Sequence, residues 1–240
     1  MTAGLDRIKV ISFDVDGTLW DFDSVMRRSL GEALRALQRV DPAAAAGLDV
    51  DKMIAIRERV HHRLAADGVE LVTIRLEAFK ETVRAAGRPD DDLASRLNEV
   101  YFQQRYAQEH LYDDVVPTLE ALEGRYTLGV LSNGNSYPSR FGLNDRFAFA
   151  VYSQDHGGIE KPAPRLFKIA VAEAGCEPDE FLHIGDHLEY DVHGAQNAGV
   201  RSVWLNRDGR LLGDDDARPD LQVSSLSDLP AALLSLRNRE

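Results

Sequence analysis

Five short runs of β-branched or apolar residues punctuate the chain: Lys9–Phe13, Tyr126–Leu131, Ala148–Tyr152, Phe181–Ile184 and Ser202–Leu205. Each is of strand length, and none alternates cleanly between apolar and polar, the pattern of parallel strands covered on both faces. From Pro117 onward helix-like stretches separate them, among them Thr118–Glu123, Pro164–Ala174 and Asp191–Ala198. That alternation predicts βα units in a doubly wound parallel sheet, an α/β architecture. Between the first run and the second the period changes. Leu30, Leu34 and Leu37 recur at helical spacing, as do Met53, Ile56, Val60 and Leu64, then Leu76, Phe79 and Val83, then Leu93, Leu97, Val100 and Tyr101. Four amphipathic helices are expected, broken at Pro42–Gly47, Asp67–Gly68 and Gly87–Asp92. The predicted organisation is an α/β core at residues 1–20 and 113–240, interrupted at 21–112 by an all-helical module.

Composition narrows the field. The 240 residues carry 28 Lys+Arg against 40 Asp+Glu, a formal net charge of −12, which argues against a nucleic-acid partner because that requires a basic face. No apolar stretch approaches the ~18 residues of a membrane span, so no membrane partner is expected. Asp6, Arg7 and Lys9 beside the first strand are unlike a leader peptide. A single cysteine, Cys176, excludes an internal disulfide framework and is expected to be structural. A cytoplasmic protein is the expectation, with monomer and homodimer equally open.

The chemistry-bearing residues follow the strands. The first strand runs into Asp14-Val15-Asp16-Gly17-Thr18 and the second into Ser132-Asn133-Gly134. The third leads to Glu160-Lys161-Pro162, and the fourth to Gly185-Asp186 with Asp191 beyond. In a parallel sheet these ends share the edge where open α/β folds bind ligands. Clustered carboxylates repel, and a hard divalent cation such as Mg²⁺ is the usual remedy. Ser132 and the N–H groups around Gly134 suit phosphoryl oxygens. Lys161, just before the favoured helix-start residue Pro162, would add its ammonium to a helix N-terminus. An aspartate at a strand end can act as nucleophile, and a second carboxyl two residues on can protonate a leaving oxygen and then activate water. His183, inside an apolar strand, reads as a satisfied core histidine.

These residues resemble the haloacid dehalogenase-like hydrolases, in the subgroup with a helical cap after the first motif. Phe13-Asp14-Val15-Asp16-Gly17-Thr18-Leu19 is similar to the family's first motif, and Leu131-Ser132-Asn133-Gly134 to its second. Lys161 corresponds to the third motif, and Gly185-Asp186 with Asp191 to the fourth. The resemblance implies a Rossmann-like core, a cap over the inserted helices, and a Mg²⁺-dependent phosphatase acting on a small phosphomonoester through an aspartyl-phosphate. It further implies Asp14 as nucleophile and Asp16 as general acid/base, with Ser132 and Lys161 holding the phosphoryl group and Thr18, Asn133 and Gly134 beside it. Mg²⁺ would be bound by Asp14, the backbone carbonyl of Asp16 and Asp186, with Asp191 acting from behind them. Trp20, Asp21, Asp23, Arg75 and Arg105 are candidates for choosing the leaving group.

Three other readings compete. A 2-haloacid dehalogenase of the same superfamily needs no leaving-group proton, and Asp16 weighs against it. A phosphosugar mutase shares all four motifs. A non-catalytic module phosphorylated on aspartate, like a receiver domain, would place its aspartate on a later strand and lack the insertion.

Overall fold

The computed structural model describes residues 5–107, 110–143 and 145–237. In chain order, β1 (Val10–Phe13) is followed by five helices: α1 (Phe22–Val40), α2 (Pro42–Ala45), α3 (Val50–Leu64), α4 (Leu71–Ala85) and α5 (Asp91–Ala107). Next come α6 (Val115–Leu122), β2 (Thr127–Ser132), β3 (Phe149–Tyr152), α7 (Pro164–Ala174) and β4 (Phe181–Gly185). A π-helical turn (Leu188–His193), α8 (Gly194–Asn197), β5 (Arg201–Leu205), β6 (Leu221–Val223) and α9 (Leu229–Arg237) complete the order. The chain divides into two compact units, Met1–Asp21 with His110–Glu240, and Phe22–Glu109.

The first unit is built on one six-stranded sheet in the order β3-β2-β1-β4-β5-β6. Every pairing is parallel. This is the doubly wound, Rossmann-like order, and its direction of winding reverses between β1 and β4, beside which ligands bind in such sheets. β1 is buried along its whole length, as its unbroken Val-Ile-Ser-Phe sequence requires. Leu131, Val151, Leu166, Phe167, Phe181 and Val200 pack together in one core cluster of the unit. Gly129 in β2 is needed because a Cβ there would lie 2.1 Å from the Phe149 ring. The structure adds β6, three residues at the sheet edge of which only Val223 is buried, too short to register as a pattern. It also replaces the single helix expected over Asp191–Ala198 with a π-helical turn around Asp191 and the short α8. Helix α7 begins at Pro164 with its C-terminus at left-handed Gly175, so Lys161 precedes the helix by three residues instead of abutting it.

The second unit is all helical. Met26, Leu30, Leu37, Met53, Phe79, Val83, Leu93, Leu97 and Tyr101 form its main core cluster, and Ile56, Val60, Ile74 and Ala78 a smaller one. On α4 the buried stripe is Ile74, Ala78, Phe79 and Val83, with Leu76 only half-buried. Asp49 caps α3 by accepting from the Lys52 N–H at 2.7 Å. A short helix not anticipated, α2, occupies the Pro42 break, where Asp41 caps it from the Ala44 N–H at 3.0 Å. Among the described residues no helix is long and apolar enough to cross a membrane.

Candidate active site

The switch point of the sheet collects the first-unit residues singled out by their place after the strands. Asp14 directly follows β1, and its N–H donates to the Ile184 carbonyl of β4 at 2.8 Å, pinning it between the two strands. Lys161 is 2% exposed. Its Nζ donates to Asp14 Oδ1 at 2.7 Å, to Asp191 Oδ1 at 2.6 Å and to the Leu131 carbonyl at 3.0 Å. Asp191 takes two further donors, His183 Nε2 on Oδ1 at 3.0 Å and the His187 N–H on Oδ2 at 2.9 Å.

Three glycines make these approaches sterically open. A Cβ on Gly185 would stand 2.1 Å from Asp191 Cγ, and one on Gly134 would stand 2.3 Å from Asp16 Oδ2. Gly17 adopts φ +88°, where a side chain is strained, and a Cβ there would fall 2.6 Å from Asp186 Oδ2.

Other expected residues are placed, with some different partners. Thr18, wholly buried, donates its hydroxyl to Asp186 Oδ1 at 3.1 Å, so it orients that carboxylate. The Asn133 amide is engaged with the Lys161 backbone: Oδ1 accepts from the Lys161 N–H at 2.7 Å and Nδ2 donates to the Lys161 carbonyl at 2.9 Å. Asn133 therefore shapes the turn that delivers the lysine. Ser132 is 1% exposed, and its Oγ accepts from the Gly134 N–H at 3.0 Å. Trp20, a candidate for choosing the leaving group, is fully buried, and its Nε1 donates to Asp16 Oδ1 at 2.7 Å. Asp16 is thus held on both sides, by the indole at Oδ1 and against Gly134 at Oδ2.

Arg75 and Arg105 lie in the helical unit and are buried there. The Arg105 guanidinium sits 5.2 Å from the Phe22 ring centroid and that of Arg75 lies 5.4 Å from the Tyr101 ring. Asp23 is exposed at the start of α1 and pairs with Arg27 four residues on. Cys176 lies outside the site, and burial pushes its thiol up to about 11, which makes it inert.

Electrostatics decide what the cluster can hold. Asp14, Asp186 and Asp191 each offer an oxygen within 4.8 Å of the others. Burial raises the Asp14 carboxyl well above its usual range, Lys161 opposes this, and the charges of Asp191 and Asp186 add to it. Burial, then the charge of Asp191, pushes Asp186 up to about 7, with the Thr18 hydroxyl working against them. Burial also raises Asp191, but Lys161 and His183 outweigh it and hold this carboxyl low. Lys161 stays protonated: burial disfavours its charge, and Asp14 and Asp191 more than reverse that. One ammonium faces three carboxylates, and the remaining negative charge calls for a hard divalent cation. With Asp191 occupied by three donors, Asp14 and Asp186 are the carboxylates best suited to meet it. The donor set, oxygen only, fits Mg²⁺.

Similarity to known proteins agrees with this layout. The chain matches the haloacid dehalogenase-like hydrolase family over residues 8–199. It is 27% identical to the Escherichia coli 5-amino-6-(5-phospho-D-ribitylamino)uracil phosphatase YigB, over 95% of this chain and 98% of that one. It is 30% identical to a glyceraldehyde 3-phosphate phosphatase of Methanopyrus kandleri, over 95% and 97%. Among solved structures, a 2-haloacid dehalogenase from Pseudomonas syringae superposes with a TM-score of 0.75 at 34% identity, covering 95% of this chain and 98% of that one. The protein belongs to the haloacid dehalogenase-like hydrolase family. The residues expected from the sequence to carry its chemistry stand at the switch point of its sheet.

The contacts that sequence reasoning missed are those of Ser12, His183 and the Leu131 carbonyl. The available signal was a serine and a histidine inside otherwise apolar strands.

Proposed function

We propose that this chain is a Mg²⁺-dependent phosphatase of the cytoplasm, hydrolysing a small phosphomonoester through an aspartyl-phosphate on Asp14. The enzyme class itself, a phosphoric monoester hydrolase of the haloacid dehalogenase-like family, is carried by its phosphatase relatives. The single observation behind the mechanism is the pairing of Asp14 with Lys161 at 2.7 Å beside an Asp16 held by Trp20 at 2.7 Å.

Lys161 fixes one oxygen of Asp14 and leaves the other to attack phosphorus. As the Asp14 O–P bond forms and the ester P–O bond breaks, Asp16 gives its proton to the departing alkoxide. Water then attacks the phosphorus of the aspartyl-phosphate and loses its proton to Asp16. Phosphate departs, Asp14 returns as carboxylate and Asp16 is protonated again. The Ser132 hydroxyl would donate to the phosphoryl oxygens, with the Lys161 ammonium and the Gly134 N–H beside them, and positioning with charge neutralisation supplies most of the acceleration. Asp14, Asp186 and the Asp16 carbonyl would hold Mg²⁺, which when bound neutralises charge on the phosphoryl oxygens. Thr18 and Asn133 act by positioning Asp186 and Lys161. The helical unit would act as the cap, with Arg75 and Arg105 as leaving-group selectors.

The resemblance to a solved 2-haloacid dehalogenase makes dehalogenation the second reading. A halide leaves without a proton, which would give the Trp20–Asp16 arrangement nothing to do. The test is phosphate release from an aryl phosphate with Mg²⁺ and with EDTA, beside chloride release from 2-chloropropionate. Phosphate release that requires Mg²⁺ and is lost in Asp14→Asn is expected. Chloride release without phosphate release would overturn the proposal.

A further inference from the structure

Directly behind the reacting groups lies a pair of buried polar residues that the mechanism above does not use. Ser12 and His183 face each other in the register of β1 and β4, and both are 0% exposed. Ser12 Oγ lies 2.8 Å from His183 Nδ1, and His183 Nε2 lies 3.0 Å from Asp191 Oδ1. That same oxygen receives the Lys161 ammonium, whose next acceptor is Asp14. The hydrogens along this chain follow from its ends. Asp191 is ionised and only accepts, so His183 carries its proton on Nε2. Its Nδ1 is then an acceptor, and the Ser12 hydroxyl must donate to it. Phe167 closes the ring edge-on at 5.3 Å, fixing the imidazole plane.

Two polar side chains in the centre of a sheet are costly where an apolar pair would pack as well. Their placement makes sense through Lys161. When Asp14 is phosphorylated its carboxylate charge is lost to the acyl phosphate, and Asp191 is left as the carboxylate holding the ammonium in place. A carboxylate held only at Oδ2 by the His187 N–H could swing its Oδ1, and the lysine would follow it.

We infer that Ser12 and His183 are positioning residues: they lock the Asp191 carboxylate, and through it the Lys161 ammonium, while phosphorus passes onto and off Asp14. The kinetic consequence rests on the phosphatase reading; the hydrogen-bond lock does not.

Two measurements separate the claims. Nitrogen-15 NMR of the imidazole at neutral pH is expected to show His183 protonated on Nε2 alone. A proton on Nδ1 overturns the lock whatever the enzyme does. In turnover, His183→Phe is expected to lower kcat about 10–100-fold with KM nearly unchanged. His183→Gln, whose amide N–H reaches towards Asp191, is expected to recover most of that loss. Ser12→Ala should lower kcat less, and the double variant should fall no further than His183→Phe alone, as for residues acting through one another. A folded His183→Phe with wild-type kcat, or a His183→Gln no better than it, overturns the inference. If His183→Phe does not fold, the smaller Ser12→Ala decides, and unchanged kcat there contradicts the lock. A wild type that hydrolyses no phosphomonoester overturns the phosphatase reading, and the imidazole tautomer then judges the lock by itself.

Discussion

In the α/β unit the buried cation is Lys161, which meets two carboxylates and a carbonyl within 3.0 Å. In the helical unit the buried cations Arg75 and Arg105 lie over the rings of Tyr101 and Phe22, with Arg57 also over Phe22. An ammonium is a compact charge that must be met by oxygen atoms when buried, whereas the planar, weakly hydrated guanidinium tolerates an aromatic face. The first arrangement commits each charge to another and suits a reaction repeated on any phosphoryl group. The second packs planar cations against aromatic faces inside the helical core. On the proposed function, the first unit would carry the chemistry and the second the choice of substrate.

The comparison breaks most visibly at Asp14 and Lys161. Asp14→Asn should lower the rate of phosphate release by more than about 10⁴-fold while the protein remains folded. Lys161→Ala should abolish activity and also cost about 3–5 kcal/mol in denaturant unfolding, because Asp14 and Asp191 are left buried without their counter-charge. A Lys161→Ala protein as stable as wild type would contradict the pairing. Asp16→Asn should cost about 10²–10⁴-fold on an alkyl phosphate. It should cost less on an aryl phosphate whose phenolate leaves without a proton, and equal losses on the two would sink the acid role.

Stability against pH sharpens the picture within the α/β unit. Burial, despite the pull of Asp191, lowers His183 to about 4 and keeps its ring neutral. Its contribution is therefore present above the unfolded value near 6.5 and is lost as pH falls towards 4. Asp186, raised to about 7, works in the opposite sense. Its contribution is full below the unfolded value near 3.9 and is lost as pH rises through 7. In metal-free protein the two contributions oppose each other. Asp186→Asn should make unfolding easier on acidification from about pH 6.5 to 4, and His183→Gln should reverse that slope. Parallel pH curves for the two variants would contradict both assignments.

Smaller effects are expected from the helical unit. Arg75→Met and Arg105→Met should reorder a panel of phosphomonoesters, and an unchanged ranking would remove them as selectors. Asp23→Ala, on an exposed pair at the start of α1, should leave both the ranking and the melting temperature where they were.

Much of this was legible along the chain. Buried parallel strands announce themselves as apolar runs, and their shared direction sends Asp14, Ser132 and Asp186 to one edge. What could not be read depended on register or on the path of a turn. Ser12 and His183 are 171 residues apart, and only the alignment of β1 with β4 makes them partners. The Trp20 indole reaches Asp16 because the chain after β1 folds back on itself at Gly17. Thr18 and Asn133 were expected beside a phosphate, yet each spends its polar atoms on positioning another site residue. β6 and α2, at three and four residues, are too short to show a period.

The central claim, that phosphorus is transferred to Asp14, is tested most directly by mixing the enzyme with Mg²⁺ and an aryl phosphate, quenching in acid during turnover and locating the label by peptide mass. The account predicts phosphate on Asp14 in wild type, accumulating in Asp16→Asn where water is no longer activated, and absent from Asp14→Asn. Steady turnover with no phosphate on Asp14, or with the label on another residue, would contradict it.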